Sequence, residues 1–459
     1  MSNYQLSIIN YQLSINNYQL PEGYKQTEVG VIPEDWKTCP LGEAVEFLDG
    51  KRKPIKESER AKMRGIYPYY GASGIVDYVN DYLFDEDLIL LGEDGENILS
   101  RSVRLAFRVS GKIWVNNHAH VLRPKSEFDI DYLSEYLESL DYSLYNSGTA
   151  QPKLNQQTCQ QILVVQPSKE EQRAIAQTLS DVDALIAALD KLIAKKRHLK
   201  TATMQQLLTG KKRLPGFGGA INNEQLTINN EQLTINNEQL TINNCDDSVT
   251  IGSSEDNCQL SINNDQLPKG YKQTEVGVIP EDWEVKTLEK IAEITSSKRI
   301  FESDYVTTGI PFYRGKEISL LMEEESLPEE CFISRQKYEE IKRSFGAPAK
   351  NEILITAVGT LGNVYHIPDD KEFYFKDGNL IWIRRIEEDS IYVSYQITFR
   401  REEIINSAIG SSQKALTIVV LNQTLVPVPK IPEQRAIATV LSDMDAAIAA
   451  LEARRAKTQ

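Results

Sequence analysis

GYKQTEVGVIPEDW stands at Gly23–Trp36 and again, without a single substitution, at Gly270–Trp283. A second anchor, EQRAIA, recurs at Glu171–Ala176 and Glu433–Ala438, and 15 of 20 positions are identical between Glu171–Asp190 and Glu433–Glu452. Between the anchors the two halves share little. The front anchors lie 247 positions apart and the rear anchors 262, so the second insert is 15 residues longer. That period is far above the ~20–50 residues of solenoid repeats. The chain therefore reads as two near-copies of a whole domain, a constant frame around divergent inserts. Such a design suits two different readers on one scaffold.

A chain of 459 residues has room for two to four domains, each with an ample core. No run of apolar residues is long enough to span a bilayer, and Met1–Leu20 has no basic region followed by an apolar one, so neither membrane span nor secretion signal is expected. Cys39, Cys159, Cys245, Cys258 and Cys331 are scattered, with no CxxC spacing, which points to a reduced, cytoplasmic protein without structural zinc.

The net charge of −15 argues at first against nucleic acid, but its distribution weakens the objection. Leu214–Lys269 carries eight acids and one lysine, whereas Lys51–Arg64 carries seven basic residues against two acids and Lys191–Arg213 eight against none. Local patches govern phosphate binding more than overall charge does. Each basic run also suits an ordinary solvated face.

Residues 1–20 are a tandem seven-residue repeat (NYQLSII, NYQLSIN, NYQL), with INNEQLT units at Ile221–Asn244 and a cousin near Cys258–Leu267. Paired asparagines are poor helix formers, so these Asn/Gln-rich stretches read as a tail and a linker rather than a coiled coil. The expected organisation is a tail (1–20), a first module (21–168), a central helix (169–213), a linker (214–269), a second module (270–431) and a distal helix (432–459).

Within the first module short apolar runs at Leu88–Leu91, Val103–Val109 and Ile113–Val115 alternate with glycines, predicting strands. The second module offers Ile353–Ala357, Glu372–Phe375 and Leu380–Arg384, and each insert should end in a helix, Asp131–Leu144 and Ile391–Ser407. These are α+β modules. Behind them, Ile175, Leu179, Val182, Ile186, Leu189 and Ile193 follow a 4-3-4-3-4 spacing, repeated by Ile437, Leu441, Met444, Ile448 and Leu451. Such seams pack helix on helix. The first helix should run from about Lys169 to Leu208, roughly 60 Å at 1.5 Å per residue, with Pro167 before it and Gly210 after it as start and stop signals.

No catalytic constellation is present in this reading. Thr209–Lys212 (TGKK) lacks the upstream glycine and the hydroxyl of a phosphate-binding loop. There is no nucleophile elbow and no HExxH, nor the Asp/Asn-Pro-Pro-aromatic stretch of amino-methyltransferases. His118 and His120 form an HxH with only His198 and His366 elsewhere, so strand-end polar residues are preferred to a metal site. Glu284-Val285-Lys286 imitates a nuclease ExK, but the matching Lys37-Thr38-Cys39 of the first copy has no acid.

The frame itself is recognisable. A Pro-Glu-Asp-Trp segment leads into a variable module. Then come Gly148-Thr149-Ala150-Gln151-Pro152-Lys153-Leu154-Asn155, a β-like stretch at Ile162–Val165, and Glu171-Gln172-Arg173 opening a long helix. The series recurs in the second copy, with Gly410–Thr417 (GSSQKALT) in place of the first motif. In this order it resembles the DNA-specificity (S) subunit of type I restriction-modification systems, over nearly the whole chain apart from the repeats. The resemblance implies an α+β fold of two similar target-recognition domains joined by two long antiparallel coiled-coil helices, a pseudo-twofold internal duplication. It implies that each domain reads half of a split site on double-stranded DNA while the helices act as a spacer and dock two methyltransferase (modification) subunits. Restriction/translocase subunits would complete the endonuclease complex. No chemistry and no cofactor is expected on this chain, since S-adenosylmethionine, ATP and Mg2+ would be bound by the partners. The second helix is shorter than the first and the linker long. A truncated, impaired subunit that donates modules is an alternative, as is a coiled-coil scaffold without DNA contact.

Candidate contacts follow from residue type. Lys51-Arg52 and Lys298-Arg299 lie 247 apart, with Lys53 beside the first pair; recurrence of a basic pair in divergent inserts suits phosphate contact, or a shared surface turn. Tyr69–Gly74 (YYGASG), with Tyr70 and Ser73, and Pro311–Lys316 (PFYRGK), with Tyr313, Arg314 and Lys316, are glycine-bearing turns able to approach bases. Asn116, Asn117 and His118, and in the second module Lys376, Asp377 and Asn379, are polar candidates for base edges; asparagine suits adenine.

Overall fold

The computed structural model describes residues 20–148, 151–218, 267–322, 331–407 and 415–458, so the heptapeptide tail and most of the Asn-rich linker lie outside the described residues. The chain divides into two compact units, Met1–Ala188 and Leu189–Gln459, with the division falling inside the central helix.

The repeated frame folds twice in the same way. GYKQTEVGVIPEDW forms an antiparallel hairpin in each unit, Tyr24–Thr27 with Gly30–Pro33 and Tyr271–Thr274 with Gly277–Pro280. Its turn needs Gly30 and Gly277, whose φ values of 109° and 101° a side chain would strain. The strand after the tryptophan pairs with the one preceding the long helix: Lys37–Pro40 with Leu163–Gln166, and Glu284–Thr287 with Leu425–Val428.

The divergent inserts share the topology of one sheet as well. A four-stranded antiparallel sheet in the first unit runs in the order Val45–Phe47, Ala119–Pro124, Leu88–Gly92, Ala106–Val109; the second unit has Glu293–Thr295, Leu380–Arg384, Ile353–Thr356, Val364–His366. Alternation explains their all-apolar central strands, since successive side chains point to opposite faces. Ile89 and Leu91 enter the core that holds Leu133 and Leu137 of helix α1 (Ile130–Ser139), while Leu88 and Leu90 enter the one behind. Ile353 and Ile355 against Leu354 repeat this in the second unit. A second four-stranded sheet in each unit contains a parallel pair, Trp114–Val115 beside Tyr69–Tyr70 and Tyr374–Phe375 beside Phe312–Tyr313, but its strand order differs between the units.

Local departures from expectation have identifiable causes. The strand expected at Val103 begins at Ala106, because the Asn97 side chain holds both backbone groups of Val103. That expected at Glu372 is confined to Tyr374–Phe375, and Glu372 instead pairs with Arg335 and Lys342. α1 stops at Ser139, five residues early, where Leu140 turns extended. The helix expected at Ile391–Ser407 is broken at Arg400 (ψ 11°) into α3 (Ser390–Phe399) and a short second helix, Arg401–Asn406.

The central helix, α2, runs Lys169–Leu207 as predicted. Ser168 and Glu171 exchange side-chain and backbone bonds at its start, a capping box, and Gly210 follows with φ 68°. Within the second unit its distal part lies antiparallel to α4 (Ile431–Thr458), with Asp190 against Arg455, Arg197 against Glu452 and Arg213 against Glu433. This register confines α4 to the distal half. Leu189, Ile193, Ile437, Leu441 and Ile448 are accordingly buried, and Met444 and Leu451 half-buried, whereas Ile175, Val182 and Ile186 are half-buried and Leu179 exposed. The continuous seam expected from spacing is thus closed only from Leu189 onward.

Candidate nucleic-acid interface

The rear anchor is a latch. Gln172, fully buried, accepts from Asp129 N (2.7 Å) and donates to Pro167 O and Glu127 O; Gln434 accepts from Asp389 N (2.9 Å) and donates to Pro429 O and to Glu388. Asp129 and Asp389 cap α1 and α3. Glu171 and Glu433 accept from the indoles of Trp36 and Trp283. The two anchors therefore meet in space, and their constancy follows from holding a module helix against the long helix. Tyr132 and Tyr392 add a matching hydroxyl bond, to Val165 O and Pro427 O, and burial raises both phenols above their ordinary pKa.

On this frame the first module gathers its candidates at one edge. The turn after Lys112–Val115 carries Asn116, Asn117 and His118, and Asn116 N donates to Tyr70 O, setting that turn beside the Ala72-Ser73 turn. Asn116 is buried, its carboxamide oxygen accepting from His118 N; Asn117 and Ser73 are exposed. His118 reaches Asp94 at 2.9 Å. Tyr70 is half-buried against Phe107, and burial raises its pKa.

The basic run joins the same edge, but unevenly. Arg52 turns inward to Glu93 (2.6 Å), Asp49 (3.4 Å) and Ala119 O, so its charge is committed to the fold. Lys51 and Lys53 are exposed, and Lys53 lies 6.0 Å from the Trp114 ring centre. Behind them His120, nearly inaccessible, contacts Asp49 (2.6 Å) and Leu154 O (2.9 Å) through its two ring nitrogens. Burial pulls its pKa down, but the Asp49 carboxylate wins and holds the imidazole up at about 10. Asp49 itself is lowered, burial being outweighed by His120 and Arg52.

Asp49, Glu93 and His120 are the one group among the described residues close enough to hold a metal. Arg52 already bonds both carboxylates, and both imidazole nitrogens are engaged. The group fits a structural charge network better than a metal centre.

The second module places its candidates equivalently. Tyr374–Phe375 matches Trp114–Val115, so Lys376 and Asp377 stand where Asn116 and Asn117 do. Lys376 N donates to Tyr313 O, Lys298 N to the Tyr374 hydroxyl, and Arg299 bonds Asp377 at 2.8 Å. Asn379 is half-buried, its carbonyl accepting from Ala357 N. Arg314 is held by buried Glu317 at 2.5 Å, whose pKa that guanidinium lowers against the opposing effect of burial. Tyr313 packs on Phe373. Lys298 and Lys316 are exposed.

Sequence reasoning missed Asp49, Glu93, Asp94 and Lys153. Lys153 lies 3.2 Å from Glu93, and Leu154 N donates to Glu93 O, so the Pro152–Asn155 part of the first motif braces this edge. The motif was visible; its spatial target, some 60 residues away, was not. Its counterpart in the second copy lies largely outside the described residues. What the two edges offer is hydrogen-bond donors, acceptors and lysines on a rigid sheet end, with no nucleophile–base pair among the candidates.

The family profile of the type I restriction modification DNA specificity domain matches residues 33–196 and 280–458, once per copy. The chain belongs to that family. It is similar to a type I restriction enzyme specificity subunit of Haemophilus influenzae, 27% identical over 417 residues and covering 90% of this chain and 87% of that one. The MjaVIII specificity subunit of Methanocaldococcus jannaschii is 23% identical over 446 residues, covering 92% and 89%. Among solved structures, the S subunit of a type I restriction-modification system from M. genitalium shares the fold, with a TM-score of 0.52 at 14% identity over 96% of this chain and 95% of that one. A specificity domain recognises DNA, so neither a scaffold without DNA contact nor an impaired module donor is the favoured reading. Among the described residues no helix is long and apolar enough to cross a membrane.

Proposed function

We propose that this protein is the non-catalytic, sequence-reading subunit of a type I restriction-modification complex, in which each module reads one half of a bipartite DNA site. The supporting observation is that two inserts with little common sequence share the strand order of their antiparallel sheet and carry unlike residues at the same turn, Asn116-Asn117 in one, of which Asn117 is exposed, and Lys376-Asp377 in the other. A common scaffold with different edge chemistry is what reading two unlike half-sites requires. In this reading Lys51, Lys53, Lys298 and Lys316 contact phosphates, while Ser73, Asn117, His118 and Asn379 face bases. The long helices serve as spacer and as the docking surface for two methyltransferase subunits. Those partners bind S-adenosylmethionine and methylate adenine, and restriction subunits using ATP and Mg2+ cut.

The test is co-expression with a methyltransferase subunit of a type I system from the same genome and single-molecule sequencing of host DNA for methyladenine. A split motif methylated on both half-sites is expected. Methylation of a single continuous motif would overturn the two-reader assignment. In binding assays, replacing Lys51 or Lys298 by alanine should each lower the salt slope of DNA affinity by about one, whereas Asn117→Ala should weaken discrimination at one base pair by roughly 1–3 kcal/mol.

A further inference from the structure

In the first module the chain leaves the parallel pair at Tyr69–Tyr70, turns through Ala72-Ser73 and comes back as a two-stranded ribbon, Arg64–Gly71 against Gly74–Val79. The returning strand is the edge of its sheet. It carries apolar side chains that nothing covers: Ile75 is 49% exposed, Val76 57% and Tyr78 50%, with Ile66 of the first strand at 79%. Such residues grouped on one hairpin mark a binding surface. The ribbon is irregular beside Tyr70, and Val76 stands close to its tip: a Cβ on Gly71 would lie 2.8 Å from a Val76 methyl and 3.5 Å from Asn116 Nδ2. The apolar pair Ile75-Val76 therefore adjoins the Asn116–His118 turn. In the second module the matching strand, Phe312–Tyr313, leads instead into a helix, Gly315–Met322.

The surroundings of the ribbon suit a polyanion. Lys62 and Arg64 at its base and Lys112 on the neighbouring strand are exposed, and its one acid, Asp77, is held by Arg60 at 2.7 Å. Its dimensions suit duplex DNA. A major groove ~12 Å wide admits a two-stranded ribbon, and the six residues Gly74–Val79 extend roughly 20 Å at about 3.3 Å each.

Resting on the DNA-reading function above, we propose that this hairpin is the element by which the first module enters the major groove, and that Ile75 and Val76 select thymine through its 5-methyl group. An apolar side chain offers a base edge no hydrogen bond, and the thymine methyl is the apolar group that the major groove displays. Ser73 and Asn117, exposed at the neighbouring turns, supply hydrogen bonds to adjacent pairs. Continuity with this polar edge and the flanking cations assign the apolar strip to DNA rather than to a protein partner.

The assembled complex with the methyltransferase subunit is titrated, by anisotropy, with labelled synthetic duplexes carrying its methylated split motif. Each thymine is replaced in turn by uracil, which lacks only the methyl. Uracil at one position of one half-site, away from the pair whose adenine is methylated, should weaken binding about fourfold, the worth of one buried methyl. A chain carrying Ile75→Ser and Val76→Ser should bind the thymine and uracil duplexes equally at that position while recognition of the other half-site is unchanged. The uracil scan of the unaltered chain decides the matter even where the double variant does not fold. Tolerance of uracil at every such position, discrimination that survives the double substitution, or loss of co-purification with the methyltransferase subunit by a folded variant overturns the proposal. An unaltered complex that methylates no split motif refutes the two-reader function itself, and this inference with it.

Discussion

Replacing Arg213 by methionine isolates the asymmetry between two nearly identical frames. In the second unit Glu433 is 2% exposed and takes two bonds from Arg213, at 2.8 and 2.6 Å, plus one from Trp283 at 3.2 Å. Methionine keeps the bulk of the arginine stem but leaves a buried carboxylate with only the indole. Removing one member of a buried pair costs about 3–5 kcal/mol. The lost bonds to Asp282, whose side chain is 48% exposed, add at most ~1 kcal/mol. About 3 kcal/mol corresponds to roughly a 100-fold change in an opening equilibrium. Amide hydrogen exchange by mass spectrometry reads this locally in the intact chain. Peptides covering Ile431–Leu441 should lose about 100-fold in protection, while those covering Lys37–Pro40 of the first unit stay unchanged. Adding Glu433→Gln should restore at least half the loss, since the carboxamide is no longer an unpaired charge. Glu171→Gln in the first unit should leave protection there nearly unchanged, because that carboxylate is only partly buried and, among the described residues, meets no arginine. An unchanged second unit, or equal losses in both units, would refute the reasoning.

Three further outcomes are expected. His120→Gln should make stability less dependent on pH: the imidazole is raised from 6.5 to about 10, so its contribution is complete below pH 6.5 and is lost as pH rises through 10. The melting difference between wild type and variant, a few kcal/mol at pH 6, should therefore vanish near pH 10, and a constant difference would count against an imidazolium–carboxylate pair. Tyr392→Phe removes a buried hydroxyl that donates to Pro427 O and accepts from Gln396; a loss of about 1–3 kcal/mol in urea titration is expected, and none would mean the bonds carry no net stability. Ile175→Asp combined with Ile186→Asp, placed on the half-buried side of α2, should abolish co-purification with a methyltransferase subunit while circular dichroism stays native; retained co-purification would remove this face from the partner surface.

Periodicity and punctuation located the elements well where the signal is local. The extent of α2 and the strand Leu380–Arg384 were legible because spacing, glycine and proline act on neighbouring residues, whereas the hairpin formed by the repeated front anchor was not among the elements expected. The boundaries that failed did so because side chains and backbone angles overrode the apolar pattern. Val103 is diverted by the Asn97 side chain, and Arg400 breaks a helix that its composition would continue. Half of the candidate edge was legible too. Asn116–His118 and Lys51–Lys53 were chosen on residue type and do converge, but type alone did not show that Arg52 is consumed by Glu93 and Asp49 or that Asn116 is buried. Of the two acids that neutralise Arg52, Asp49 is three residues away but Glu93 is 41 away, just past the Leu88–Gly92 strand.

The sequence by itself determined that the protein is a duplicated frame with divergent inserts, that its long helices bear matched seams, and hence its family. These features live in identity and spacing, which a linear text displays directly. Only the tertiary structure decided that Glu171-Gln172 and Glu433-Gln434 latch the front anchor and module helix to the long helix, that unlike inserts share the strand order of one sheet, and that Leu441 is buried where its counterpart Leu179 is exposed. The physical reason is burial: whether Leu179 or Leu441 is packed, and whether a carboxylate meets an arginine, depends on which distant segment the fold brings against it.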